Sequence, residues 1–261
     1  MSTDIDPVLA KPADLCCLKG SIHSGEPSGV VEKIEGVDTY IAMPDTKISN
    51  GNVLLFFPDA FGFHINNFLA MDAFAACGYL TLGVDYFAGD PVWKHSRTPL
   101  IDPNFDFEAW KVKHMASSND IGIQWVKNVK AKYGKAEEVK FACVGYCWGA
   151  RFVCDQLSNT GICKAGAIAH PSFMNESHVF SVEEPIFFSV PNTDKLFIPE
   201  QRSRTIEILT SGKKRFNIQI FSNVGHGFAS RAYLSDPYEK WAKEQSFKSF
   251  VEWFDYWLQR E

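Results

Sequence analysis

Val139-Lys140-Phe141-Ala142-Cys143-Val144-Gly145-Tyr146-Cys147-Trp148-Gly149-Ala150 decides how this chain is read. A short apolar run enters Gly-x-Cys-x-Gly, and a helix-compatible stretch from Trp148 to about Leu157 follows. This is the form of a strand–turn–helix elbow, which pushes its central side chain out at the top of a sheet; here that side chain is a cysteine. Gly145 and Gly149 flank Cys147 where strand and helix crowd and a Cβ would clash. The helix start presents free N–H groups and a partial positive charge, which favour a thiolate and an oxyanion alike. A buried structural cysteine would leave the same pentapeptide, since free Cys is commonly buried. The strand before it and the helix after it favour a functional thiol.

Working outward, Val53–Phe57 is an uninterrupted apolar run of the kind a parallel strand shows when both its faces are covered. Before it, Val30–Ile34 and Thr39–Ala42 read as an antiparallel hairpin at a sheet edge. Asn66 or Asn67 can cap a helix carrying Phe68, Leu69, Met71, Phe74 and Ala75, with Gly78 at its end. Tyr79–Val84 is a further strand, and residues 85–105, rich in Gly and Pro, form a long loop. Phe107–Ala116 and Asp120–Tyr133 read as two helices ahead of the elbow strand. Beyond the elbow, Ala165–Ala169, Pro185–Val190 and Phe216–Phe221 are strands. Pro199 opens one helix, and Phe247, Phe250, Val251, Phe254, Trp257 and Leu258 mark another. Residues 1–29, with their Pro, Gly, Ser and Asp, read as an extended arm. Residues 30–261 read as one doubly wound, mostly parallel α/β domain with helices on both faces.

Composition bounds the function. The 261 residues are 46% hydrophobic and 14% aromatic, enough for a sizeable core, and the net charge is -5. The densest positive cluster, Lys213-Lys214-Arg215, suits a solvated turn, so no nucleic-acid partner is expected. No apolar run reaches the roughly eighteen residues of a membrane helix, and the amino end lacks a signal-peptide core. Seven cysteines without an export signal point to reduced thiols and a cytoplasmic protein; a monomer or weak homodimer is expected. No cysteine spacing suits a metal, and no cofactor is expected.

In a sheet of this kind, ligands bind beyond the carboxyl ends of the parallel strands. Asp59, Asp85, Cys147, His170, Asp194 and His226 fall there. Cys147, Asp194 and His226 follow the chain order nucleophile, acid, histidine of the α/β hydrolases. His226 sits in Gly225-His226-Gly227-Phe228 right after the last strand, where flanking glycines let a loop carry the imidazole over the elbow. Asp194, in Asn192-Thr193-Asp194-Lys195, would fix the imidazole tautomer. His64 and His170 remain pocket candidates.

Gly145-Tyr146-Cys147-Trp148-Gly149, Asp194 with Pro199, Gly225-His226-Gly227-Phe228 and Pro58-Asp59-Ala60-Phe61-Gly62 together resemble the dienelactone hydrolase family, nearest its fungal branch. The resemblance runs from about Val30 to Leu258. It implies an α/β-hydrolase fold and an enzyme of the carboxymethylenebutenolidase type. Such an enzyme cleaves small esters or lactones through a Cys-His-Asp triad and an acyl-thioester. It also implies that Asp59 modulates the thiol, although the best-known members carry glutamate there. The backbone N–H groups of Ala60 and Trp148 would form the oxyanion hole. Bacterial members hold a substrate carboxylate with an arginine four residues after the histidine; here Ser230 takes that place and Arg231 follows it. Phe61, Tyr86, Trp93, Phe228 and Arg231 are the substrate-binding candidates. Two rival readings are a non-catalytic receptor on a hydrolase scaffold and a thiol redox protein using Cys147. A receptor has no need of the full triad, and no resolving cysteine is evident.

Overall fold

In the computed structural model, residues 5–14, 18–97, 100–102, 104–136 and 138–259 are described. Cys16, Cys17, Pro99 and Pro103 lie outside them.

Eight strands form the central sheet: β1 (Val30–Ile34), β2 (Val37–Ala42), β3 (Val53–Phe57), β4 (Leu80–Val84), β5 (Phe141–Tyr146), β6 (Cys163–Ala169), β7 (Ile186–Pro191) and β8 (Phe216–Phe221). Their spatial order is β1-β2-β4-β3-β5-β6-β7-β8. The β1/β2 and β2/β4 pairs are antiparallel, and every other pair is parallel. The apolar run of β3 is explained by its two covered faces. Leu54 and Phe56 enter one core with Met71, Phe74, Phe250 and Phe254. Leu55 and Phe57 enter the other with Trp125, Phe152 and Val84.

From β3 the chain moves to β4 on one side, then crosses back to β5 on the other. The direction of winding therefore reverses between β3 and β5, and a crevice opens at their carboxyl ends. Asp59 and Ala60 follow β3; Cys147 follows β5.

Several local expectations change. The hairpin is tighter than its sequence suggests. Glu35 and Gly36 both take positive φ, which makes a two-residue turn, so β2 starts at Val37. Helix α1 (Ile65–Ala76) is capped by His64, whose side chain accepts from the Asn66 N–H; Asn66 and Asn67 lie inside the first turn. Their amides are spent on long-range contacts instead. The two helices read around Ser117-Ser118-Asn119 are one, α2 (Phe107–Tyr133). Ser118 donates to the His114 carbonyl oxygen at 2.5 Å and accepts from Arg151 at 2.7 Å, so its hydroxyl does not compete with the helix. The loop of residues 85–105 contains a 3-10 turn at Val92–His95 and a small hairpin pairing Ser96–Arg97 with Leu100–Ile101. The remaining helices are α3 (Ala150–Gln156), α4 (Glu176–Phe180), α5 (Pro199–Ser211), α6 (Phe228–Arg231) and α7 (Pro237–Leu258). The short α4 and α6 had no visible periodicity in the sequence.

The amino-terminal segment crosses the carboxyl ends of the strands. Val8–Ala10 pairs antiparallel with Met174–Asn175, and the Lys11 N–H donates to the Leu196 carbonyl oxygen. Farther on, the Ser21 N–H donates to the Arg231 carbonyl oxygen, and the His23 ring bonds that of Ala232. Asn66 clasps this part of the arm, accepting from the His23 N–H and donating to the carbonyl oxygens of Ser21 and Ser230.

Candidate active site

The elbow forms because β5 is buried along its whole length and must turn sharply into α3. Cys147 takes the turn at φ +50°, a left-handed conformation that costs a non-glycine residue on the order of 1–3 kcal/mol. The flanking glycines are required by packing. A Cβ on Gly145 would meet the Gly149 carbonyl oxygen at 2.5 Å, and one on Gly149 would meet the Phe57 carbonyl oxygen. Cys147–Gly149 make a 3-10 turn that runs directly into α3. The thiol is buried, and its Sγ lies 3.2 Å from the hydroxyl of Ser172.

After β7 and β8, two loops bring an acid and a base together. The His226 Nδ1 lies 2.8 Å from the Asp194 Oδ2, with both side chains buried. Asp194 is held by the Leu196 N–H on its other oxygen. The two loops are tied by Thr193, which donates to the Val224 carbonyl oxygen, and by Asn192, which accepts from the Asn223 N–H. Burial opposes charge on His226, but the negative charges of Cys147, as thiolate, and Asp194 outweigh it and raise the ring to about 10. Its Nε2 makes no hydrogen bond to any described residue. His170 packs edge to face on His226 with centroids 4.9 Å apart; burial and the His226 charge keep it well below its ordinary value, hence neutral. His64, the other histidine candidate, caps α1 and packs against Phe61 and Trp93.

Asp59 is enclosed by donors. Its Oδ1 accepts from the Phe61 N–H and from Asn67, both at 3.0 Å. Its Oδ2 accepts from Ser230 at 3.1 Å and is ion-paired with Arg231. Arg231 lies over the Phe61 ring at 4.5 Å, and its Nε donates to the Lys19 carbonyl oxygen of the arm. The structure thus joins two residues that the sequence set apart, the thiol-modulating candidate Asp59 and the substrate candidate Arg231. At the Cys147 sulfur the neighbours are Ser172 and His226. Ser172, Asn67 and Lys19 had no local motif to mark them; Ser172 does follow β6, one of the strands whose carboxyl ends face the crevice.

The aromatic candidates divide. Phe61 is half-buried under Arg231, and Trp93 donates its indole N–H to the Phe63 carbonyl oxygen. Tyr86 is fully buried, stacked on Phe152, and its hydroxyl donates to the Pro58 carbonyl oxygen. It props the loop that carries Asp59 and Ala60 and offers the crevice no open surface. Phe228 is likewise packed, against Phe221 and His170. Trp148 is buried between Phe87, Trp110 and Phe173. A cavity of about 290 Å³ opens beside the acid–base pair, lined by Asp194 and His226 together with Lys19, Lys195, Arg231 and Tyr233.

Among the described residues, no group of three or more His, Cys, Asp or Glu could hold a metal ion. The five cysteines among them are free thiols. No described helix is long and apolar enough to cross a membrane.

The dienelactone hydrolase family profile matches residues 37–258, which include the elbow, Asp194 and His226. The chain belongs to the dienelactone hydrolase family. Dienlactone hydrolase 1 of Gibberella moniliformis is 68% identical over 98% of this chain and 98% of its own. Dienlactone hydrolase 2 of the same organism is 65% identical over 98% of this chain and 100% of its own. The solved structure named m3DLH superposes with a TM-score of 0.66, covering 88% of this chain and 97% of its own at 15% identity. That likeness shows the fold, which is the α/β-hydrolase fold. This dienelactone hydrolase-like chain is therefore a hydrolase with a small-molecule substrate.

Proposed function

We propose that this chain hydrolyses small carboxylic esters or lactones, with Cys147 as nucleophile, His226 as base and then acid, and Asp194 as the group that orients the imidazole. One observation carries the reading: a cysteine at φ +50° on the elbow shares its electrostatics with an imidazole that Asp194 holds at 2.8 Å. The thiol proton passes to the His226 Nε2, and the thiolate attacks the carbonyl carbon. The N–H groups of Ala60 and Trp148 receive the oxyanion, and His226 returns its proton to the departing alkoxide. Water, deprotonated by His226, then cleaves the acyl-thioester. For a lactone, the alkoxide stays tethered and leaves with the acid.

Asp59 and Arg231 supply a way to couple substrate charge to this cycle. Paired, each neutralises the other. A substrate carboxylate drawn in past Lys19 and Lys195 competes for Arg231 and leaves the charge of Asp59 uncompensated beside the site. The redox reading lacks comparable support, because the Cys143 thiol packs on the carbonyl oxygens of Val153 and Ala165.

A panel of chromogenic esters and lactones, run on wild type and Cys147→Ala, tests the proposal. Turnover by wild type alone is expected; equal turnover by both would refute it.

A further inference from the structure

Three non-glycine residues take left-handed backbone on the elbow and on the loop after β6: Cys147 at φ +50°, His170 at +36° and Phe173 at +54°. Each costs on the order of 1–3 kcal/mol and persists only where its surroundings impose it. Between the last two lies Ser172, which is fully buried. Its N–H donates to the Cys147 carbonyl oxygen at 3.1 Å, and its Oγ sits 3.2 Å from the Cys147 Sγ. Phe173 is fastened on the other side, by its N–H to the Lys11 carbonyl oxygen and by its ring on Trp148. The loop after β6 is thus bent, at a cost, into a shape that sets one hydroxyl against the sulfur. Meanwhile the His226 Nε2 has no hydrogen bond to any described residue. The sulfur has Ser172 as a close partner in addition to the imidazole of His226.

We propose that Ser172 is a further catalytic residue, whose hydroxyl serves the Cys147 sulfur in both of its protonation states. The proposal rests on the reading of Cys147 as the nucleophile. A hydroxyl can donate and accept, so it can change roles without moving. While sulfur is a thiol, its S–H donates to the Ser172 oxygen. When the proton passes to the His226 Nε2, the S–H bond is exchanged for an N–H bond, and the hydroxyl rotates to donate its own proton to the thiolate. Ser172 gains and loses nothing. On acylation the sulfur becomes a neutral thioester; when the thioester breaks, the same O–H receives the leaving thiolate. Both side chains are buried, and a hydrogen bond to an ionised partner is stronger there than in water.

Ser172→Ala removes the hydroxyl and keeps the backbone bond to Cys147, so it isolates this contact. The reading is the rate at which iodoacetamide alkylates Cys147 at pH 7, followed on the peptide by mass. A purely structural serine and a thiolate partner predict opposite signs. Loosened packing around a buried thiol speeds alkylation, whereas loss of a thiolate donor slows it. We expect a slowing of about tenfold, the scale of one hydrogen bond to a charged group. Alkylation at or above the wild-type rate would overturn the proposal. A melting curve checks the fold, and Ser172→Gly, which also lacks the hydroxyl, takes the place of the alanine variant if that one is unfolded. Because alkylation needs no ester, the two readings fail separately. Slower alkylation with no ester turned over by wild type would sink the hydrolase and leave the Ser172–thiolate contact. Ester turnover with unslowed alkylation would do the reverse.

Discussion

Replacing Asp194 by asparagine tests the acid–base pair without altering its shape. The amide oxygen can still accept from the Leu196 N–H, as the Asp194 Oδ1 does. What changes is the group facing the His226 Nδ1: a carboxylate that accepts a hydrogen bond becomes an NH₂ that donates one, so the imidazole is driven to its other tautomer with Nε2 protonated. A second effect is electrostatic. His226 stands at about 10 instead of 6.5, a preference for the imidazolium of roughly 5 kcal/mol at about 1.36 kcal/mol per pH unit. Cys147 and Asp194 provide it between them, against burial. The substitution removes the share that Asp194 contributes and so lowers the ring from that value. Ester turnover should fall by about two to four orders of magnitude. The sign for stability also follows. A group raised on folding stabilises fully below its unfolded value near 6.5, and this contribution is lost as pH rises toward 10. The wild-type melting temperature should therefore lose this contribution across that window, and Asp194→Asn should shift the loss to lower pH. The assays are a pH–rate profile on one chromogenic ester and melting curves from pH 6 to 10. Full activity with an unmoved alkaline limb would show that Asp194 does not govern the histidine.

Three further outcomes are expected. His226→Ala should lower ester turnover by about two to four orders of magnitude in steady-state assays, and it should also lower the melting temperature, because it breaks the buried pair with Asp194. Asp59→Asn should speed alkylation of Cys147 near pH 6 while slowing turnover. It should also lower the melting temperature, because the buried ion pair of Asp59 with Arg231 is broken; the idea requires the two rates to move in opposite directions. Gly20→Val should loosen the arm, since Gly20 has φ +145° and a Cβ there would meet the Arg231 carbonyl oxygen at 2.5 Å. Steady-state kinetics should show a higher KM for carboxylate-bearing esters than for neutral ones.

The fold was legible in the sequence where burial leaves a local pattern. Val53–Phe57 is apolar throughout because helices cover both of its faces, and that pattern alone marks a central parallel strand. The elbow was legible because backbone crowding dictates glycine at 145 and 149. Patterns failed where a side chain far along the chain satisfies a local conflict. Ser118 reads as a helix breaker until Arg151 takes its hydroxyl, and Asn66 and Asn67 read as caps until the arm and Asp59 engage them. The candidate site divides the same way. Cys147, Asp194 and His226 each follow a strand and could be placed by order alone. The ion pair of Asp59 with Arg231 and the contact of Ser172 with Cys147 link segments that only the folded sheet brings together.

Identifying the atom that carries the acyl group is the most direct test of the account. Wild type and Cys147→Ala would be quenched with acid within the first turnover of an activated ester, digested, and weighed peptide by peptide. An acyl mass increment on the peptide bearing Cys147, absent from the alanine variant along with turnover, is the predicted result. An increment on another residue, or undiminished turnover by Cys147→Ala, would contradict the account.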